Sequence, residues 1–243
     1  MDDLIIADPW HELKAFTAAR IALGRTGTAM PLQEVLRFKL AHAHARDAVY
    51  SSLDIAALSR QPWETNLLHS NAADRAVYLQ RPDKGRQLNE SSRLSLMKEN
   101  TDIGIILVDG LSATAINHHA VPLLAYLYPM LQAKKISCAR IQLVEQGRVA
   151  IGDEIGELLG VKLVLVLIGE RPGLTSPDSL GAYLTWQPRP GLTDEARNCI
   201  SNIRPEGLPY KLAAEKMFYL INEAMKLHLT GVMLKDNYNL RIS

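Results

Sequence analysis

Two apolar runs, the one inside Asp102–Asp109 (DIGIILVD) and the one from Lys162 to Ile168 (KLVLVLI), limit what this chain can fold into more than any other feature. Each is rich in β-branched residues, neither alternates with polar positions, and a glycine closes each one, Gly110 after Asp109 and Gly169 directly. A strand of that kind is buried on both faces, so helices must lie above and below its sheet. The intervening sequence supplies them. Residues 112–133 and 153–159 have helical periodicity, and residues 137–144 alternate as a further strand. Residues 182–186 and 199–203 are two shorter strand candidates, after which Pro209 introduces an amphipathic helix over residues 211–229. Strands alternating with helices predict an α/β fold, a Rossmann-like and mostly parallel sheet with helices on both faces.

Upstream the pattern differs. Residues 8–59 repeat apolar positions at helical spacing, with Pro9 near the start of one segment and Pro31 opening another at the N1 position proline prefers. Leu32, Val35, Leu36, Leu40 and Ala43 share one face of that helix. Residues 60–100 are polar, contain Pro62 and Pro82 and show no sustained period, which predicts connections around one or two short helices. The expected division is a smaller helical N-terminal domain with its connector over residues 1–100, followed by the Rossmann-like domain over residues 101–243.

Bulk properties exclude several classes of function. With 27 basic against 26 acidic residues, no global field favours nucleic acid or an anionic membrane. Cys138 and Cys199, the only cysteines, form neither a disulfide framework nor a zinc spacing. No apolar run approaches the ~20 residues of a membrane helix, and the start, MDDLIIADPW, is acidic where a signal peptide is basic. The expected setting is cytoplasmic.

In an open α/β sheet, ligands bind outside the carboxyl ends of the strands, where strand order reverses. Three loops qualify. In VDGLSAT (108–114), Asp109 and Gly110 end a strand and Ser112 can cap the next helix, with either an anion or hydroxyl site or an ordinary N-cap as the outcome. In GERPG (169–173), Glu170 can accept hydrogen bonds and the glycines let backbone approach a large ligand; the alternative is a charged surface turn. In NCISNI (198–203), Cys199 is either a working thiol or a small packed side chain. GxGxxG, the Walker loop, GxSxG and HExxH are all missing. His42 and His44 point to different helix faces, His118 and His119 split one inward and one outward, and none of the seven histidines has metal-binding spacing to a second ligand. The adjacent carboxylates Asp153/Glu154 and Asp194/Glu195 read as solvated helix or turn residues. No catalytic constellation and no metal site emerges, which suits a ligand-holding subunit whose chemistry belongs to a cofactor or a partner chain.

The motifs LGRTG (23–27), SNAADRAVYLQRPDKGRQL (70–88), VDGLSATAI (108–116), GRVAIGDEIGELL (147–159), LIGERPGL (167–174) and CISNIRPEG (199–207) occur in one order across nearly the whole chain. Together they closely resemble the small (light) subunit family of ethanolamine ammonia-lyase. The resemblance implies a subunit of an adenosylcobalamin-dependent enzyme that converts ethanolamine to acetaldehyde and ammonia. Its partner is a separate barrel-type large subunit, in a hetero-oligomer with several copies of each. Carried over by motif, Val149 of GRV, Glu170 of GERPG and Cys199 of CISNI are the implied cobalamin-binding positions. The DxHxxG motif of cobalamin proteins that supply a histidine as lower ligand does not occur, so the nucleotide base is expected to stay on the cobalt. The first helical segment lies close to the start, so an N-terminal packaging extension is expected to be short or absent; enclosure in a bacterial microcompartment stays open. The competing readings are a stand-alone α/β module for a nucleotide-like ligand and a purely structural subunit.

Overall fold

A computed structural model describes residues 8–17 and 19–238. The acidic start, residues 1–7, lies outside the described residues. The elements run α1 (Leu32–Tyr50), α2 (Ile55–Ser59), β1 (Thr65–His69), α3 (Arg75–Gln80), α4 (Glu90–Ser95), β2 (Ile103–Val108), α5 (Ala113–Ala133), β3 (Ile141–Glu145), α6 (Ile151–Leu159), β4 (Leu163–Gly169), β5 (Leu180–Trp186), β6 (Arg197–Ile203) and α7 (Tyr210–Leu227). The strands form one six-stranded sheet in the order β1-β3-β2-β4-β5-β6.

Burial explains the two apolar runs. Every residue of β2 and β4 is buried, and successive side chains divide between two cores. Ile103, Ile105 and Leu107 join Leu163, Leu165 and Leu167 in a core with α5 and α7. Ile106 and Val108 join Val164, Val166 and Ile168 in a second core with Ile151 and Ile155 of α6. Period-two alternation persists, but both faces require apolar side chains, so the sequence reads as continuous.

Parallel pairing holds for β1, β3, β2 and β4. The chain then reaches β5 and β6 without an intervening α-helix, and both pair antiparallel; parallel neighbours would need a long crossover. The sheet also begins before residue 101. β1 lies within the stretch predicted to be connector and pairs with β3 from Thr65↔Ile141 to His69↔Glu145. α1 forms where predicted, but Pro31 occupies the N-cap, one position before the helix. Its apolar stripe is not core: Leu32, Leu36 and Leu40 are all more than half exposed. Among the described residues, no helix is long and apolar enough to cross a membrane.

Candidate functional site

From β2 the chain passes through α5 to β3 on one side, then through α6 to β4 on the other, so strand order reverses between β2 and β4. Outside their carboxyl ends lies a cleft of about 410 Å³, lined by Tyr78, Leu111, Arg148, Val149, Ile168, Gly169, Glu170, Arg171 and Tyr183. This is where the switch-point rule expects a ligand.

The cleft floor is closed by backbone packing. A Cβ on Gly169 would lie 2.0 Å from the Ser112 carbonyl oxygen, and one on Gly110, at φ +57°, would lie 2.3 Å from the Gly169 oxygen. The Leu111 N–H donates to that same Gly169 oxygen at 3.0 Å. These glycines therefore let two strand-end loops touch each other, in place of the close approach to ligand that the GERPG sequence suggests. The VDGLSAT loop is likewise tied down. The Ser112 hydroxyl does not cap α5 but donates to the Pro177 carbonyl at 3.0 Å, and the Thr114 N–H donates to the Ser51 hydroxyl at 3.0 Å. Asp109 is buried and accepts from Gln146 N–H (2.7 Å) and Gly147 N–H (3.0 Å), with the Arg75 guanidinium 3.8 Å away. Burial pushes its carboxyl up to about 6 against those partners. Asp109 thus fixes the β3–α6 turn that carries Arg148 and Val149.

The opposite wall is polar and aromatic. Tyr78 is fully buried with the Arg148 guanidinium 4.0 Å and the Arg75 guanidinium 4.5 Å from its ring centroid, a double cation–π stack. Arg148 also donates to the Tyr78 carbonyl at 3.0 Å, and Arg75 to the carbonyls of Val49 (2.6 Å) and Gly110 (2.8 Å). The Tyr78 hydroxyl, Arg75 Nη2 and Arg148 Nε are buried without a hydrogen-bond partner. Burial pushes the Tyr78 phenol up to about 12, so it stays a donor.

Of the three sequence-singled residues, Val149 and Glu170 line the same cleft. The Glu170 carboxylate accepts from the Ser179 hydroxyl and from the Asn202 N–H (3.2 Å), and it lies over Gly181, where a Cβ would be 3.1 Å from its Oε1. Cys199 is exposed on β6, outside the cleft lining; it is paired with Tyr183 of β5, and its Sγ is 3.2 Å from the Ser201 hydroxyl. Burial, then the neighbouring Cys199, raises the Tyr183 phenol above the ordinary tyrosine range. Tyr78, Arg75, Arg148 and Tyr183 were not foreseen as a set. They come from separate segments, and no spacing links them.

One further expectation is corrected and one holds. Asp153 is buried in an ion pair with Arg197, and Glu154 accepts from Leu88 N–H (2.8 Å) and Arg93 Nε (2.7 Å), so this pair is not solvated. Burial pushes the Asp153 carboxyl up to about 6, opposed by Arg197. The histidine pair does split: His118 is exposed and His119 buried.

A six-stranded α/β sheet with an open cleft at its switch point, lined by donors, aromatics and one carboxylate but by no nucleophile–base pair, defines a ligand-holding α/β chain. The family model described as ethanolamine ammonia-lyase light chain matches residues 7–235. The chain belongs to that family, whose name is that of an ammonia-lyase subunit. It is similar to proteins named ethanolamine ammonia-lyase small subunit. It is 52% identical to that of Pseudomonas syringae pv. tomato over 98% of this chain and 87% of the relative. Against that of Pseudomonas fluorescens the identity is 54% over 94% and 87%, and against that of Azotobacter vinelandii 53% over 94% and 88%.

Proposed function

We propose that this chain is the small subunit of an adenosylcobalamin-dependent ethanolamine ammonia-lyase and holds the cofactor against a large catalytic subunit. The observation that carries the reading is the convergence of Val149 and Glu170, the implied cobalamin-binding positions, on the switch-point cleft. The residues fit such a group. A corrin rim is fringed with amides, whose N–H groups suit Glu170, while the Arg75–Tyr78–Arg148 stack buried behind Val149 backs that wall of the cleft. A cleft of about 410 Å³ takes one edge of so large a molecule and leaves the rest to be covered by another chain.

When bound, adenosylcobalamin supplies the radical that starts the rearrangement of the amino alcohol. The rest falls to side chains of this chain. Glu170, held from behind by Ser179 and Asn202, presents a preorganised acceptor. Val149 and Ile168 exclude water from the apolar part of the cleft, and Cys199 packs beside Tyr183 at its margin. The guanidiniums stacked on Tyr78 hold that wall of the cleft in place and carry no proton in the reaction. Substrate contacts belong to the large subunit, in a complex with several copies of each chain.

The test is ammonia release from ethanolamine by this chain co-produced with a large subunit, with and without adenosylcobalamin. Activity that needs both chains and the cofactor is expected. Glu170→Ala should weaken cobalamin binding by the complex by about tenfold, the loss of one charge-assisted hydrogen bond. Unchanged affinity in that variant removes Glu170 from the site; turnover without cofactor removes the cobalamin reading.

A further inference from the structure

At a separate place on the same end of the sheet, three side chains from two distant segments meet. His118 and His119 are consecutive on α5, and their rings lie edge to face, 5.9 Å apart at 78°. Asp178, in the β4–β5 loop, places Oδ2 3.4 Å from His119 Nε2 and 3.7 Å from His118 Nδ1. One ligand atom from each residue lies within 4.8 Å of the others. Bond lengths of about 2.0–2.2 Å put the ligand atoms of a tetrahedral zinc site about 3.3–3.6 Å apart; the two Asp178 contacts, at 3.4 and 3.7 Å, already approach that spacing, and rotation of the exposed His118 side chain would bring the two imidazoles to it.

Two independent observations point to an ion. His119 is only 4% exposed, and its Nε2 meets only the Asp178 carboxylate, at 3.4 Å and outside good hydrogen-bond geometry. Its other nitrogen, Nδ1, lies 2.8 Å from the hydroxyl of Tyr210, the first residue of α7. A metal-bound imidazole has that arrangement, one nitrogen free for the ion and the other fixed by an outer hydrogen bond that sets tautomer and ring orientation. Two imidazoles and a carboxylate suit zinc.

We propose that His118, His119 and Asp178 form a three-ligand site for a divalent transition-metal ion, Zn²⁺ foremost, with the remaining position open to water and Tyr210 as the positioning residue. The inference does not rest on the cobalamin reading. The ion would join α5 to the β4–β5 loop and, through Tyr210, to α7. Asp178 adjoins Ser179, whose hydroxyl holds Glu170, so the site would also steady that wall of the cleft.

The test uses the full-length chain, stripped with a chelator and titrated with Zn²⁺ in competition with a chromophoric chelator, then with Co²⁺ by visible absorption. One equivalent of Zn²⁺ should bind, and Co²⁺ should show the intense d–d bands of low coordination number. Asp178→Asn and His118→Gln should weaken Zn²⁺ binding at least about 100-fold, and Tyr210→Phe about tenfold, the range seen when outer hydrogen bonds to metal ligands are lost. His118 is exposed, so its variant should fold, with circular dichroism as the check. His44→Gln, an exposed control on α1, should bind as the parent does. Absence of stoichiometric uptake by the parent chain, or uptake unchanged in both His118→Gln and Asp178→Asn, overturns the proposal and leaves an ordinary imidazole–carboxylate pair.

Discussion

Arg197 and Asp153 are both sealed from solvent; Arg197 also donates from Nη1 to the Thr193 carbonyl and the Asp194 carboxylate and from Nη2 to the Leu192 carbonyl. Removing one member of such a pair strands the other charge, which costs about 3–5 kcal/mol, whereas replacing both with apolar side chains is often close to neutral. Arg197→Met should therefore lower urea-unfolding stability by about that amount, and adding Asp153→Leu should recover most of it; a loss below about 1 kcal/mol in the single variant would mean that the charge is not stranded. Asp102 gives the opposite electrostatic case. The Lys162 ammonium at 2.8 Å, helped by the Ser137 N–H and hydroxyl, holds its carboxyl down to about 2. The native value lies below the unfolded value of about 3.9, so the stabilisation is fully present above pH ~4 and is lost as pH falls towards 2. Asp102→Asn should cost about 1 kcal/mol at pH 7, after allowance for solvent screening, with the difference from the parent shrinking in unfolding measured between pH 4 and 3. Neither partnership was legible in sequence. Asp153 next to Glu154 looks like any acidic first turn, and only the fold brings Arg197 to it. Glu170 was legible as a carboxylate in a strand-end loop, whereas Val149 was singled out by motif resemblance alone, since a single valine in a loop has no periodicity to betray it.

Among the elements, α6 is set by two glycines on one face. A Cβ on Gly152 would lie 2.4 Å from Val166 Cγ2, and one on Gly156 would lie 2.4 Å from both Val164 Cγ2 and Pro188 Cγ. Alanine at position 156 gains up to about 1 kcal/mol of helix propensity, but crowding of a rigid proline ring and a β-branched strand residue costs about 1–3 kcal/mol. Crowding should win, so Gly156→Ala should lower the unfolding midpoint at unchanged m-value, and a raised midpoint would show that α6 has room to shift. β2 and β4 were legible because burial on both faces leaves no polar position. β1 was not. Its five residues, TNLLH, lie at the sheet edge with only Leu68 fully buried and Leu67 nearly half exposed, so neither alternation nor a continuous run forms. α1 shows the reverse failure: helical spacing was correct about the helix and silent about what its stripe meets.

For the molecule as a whole, the order of strands in space is not the order of their synthesis. Among the described residues β1 pairs only with β3, so Thr65 waits for Ile141, while β3 also needs β2 and β2 needs β4. Contacts of such sequence separation form late, after loop-closure entropy has been met. The α5 and α6 segments can turn helical early, but no sheet edge is covered until the chain has passed residue 145. On a translating ribosome β1 therefore lacks its strand partner until residues 141–145 have emerged. Stalled nascent chains whose emerged portion ends before β3 should be cut by protease around residues 65–69, and those with β4 emerged should be protected there; early protection would mean that β1 finds another partner first. That delay leaves the first strand to emerge without its neighbour until more than half of the chain has been synthesised.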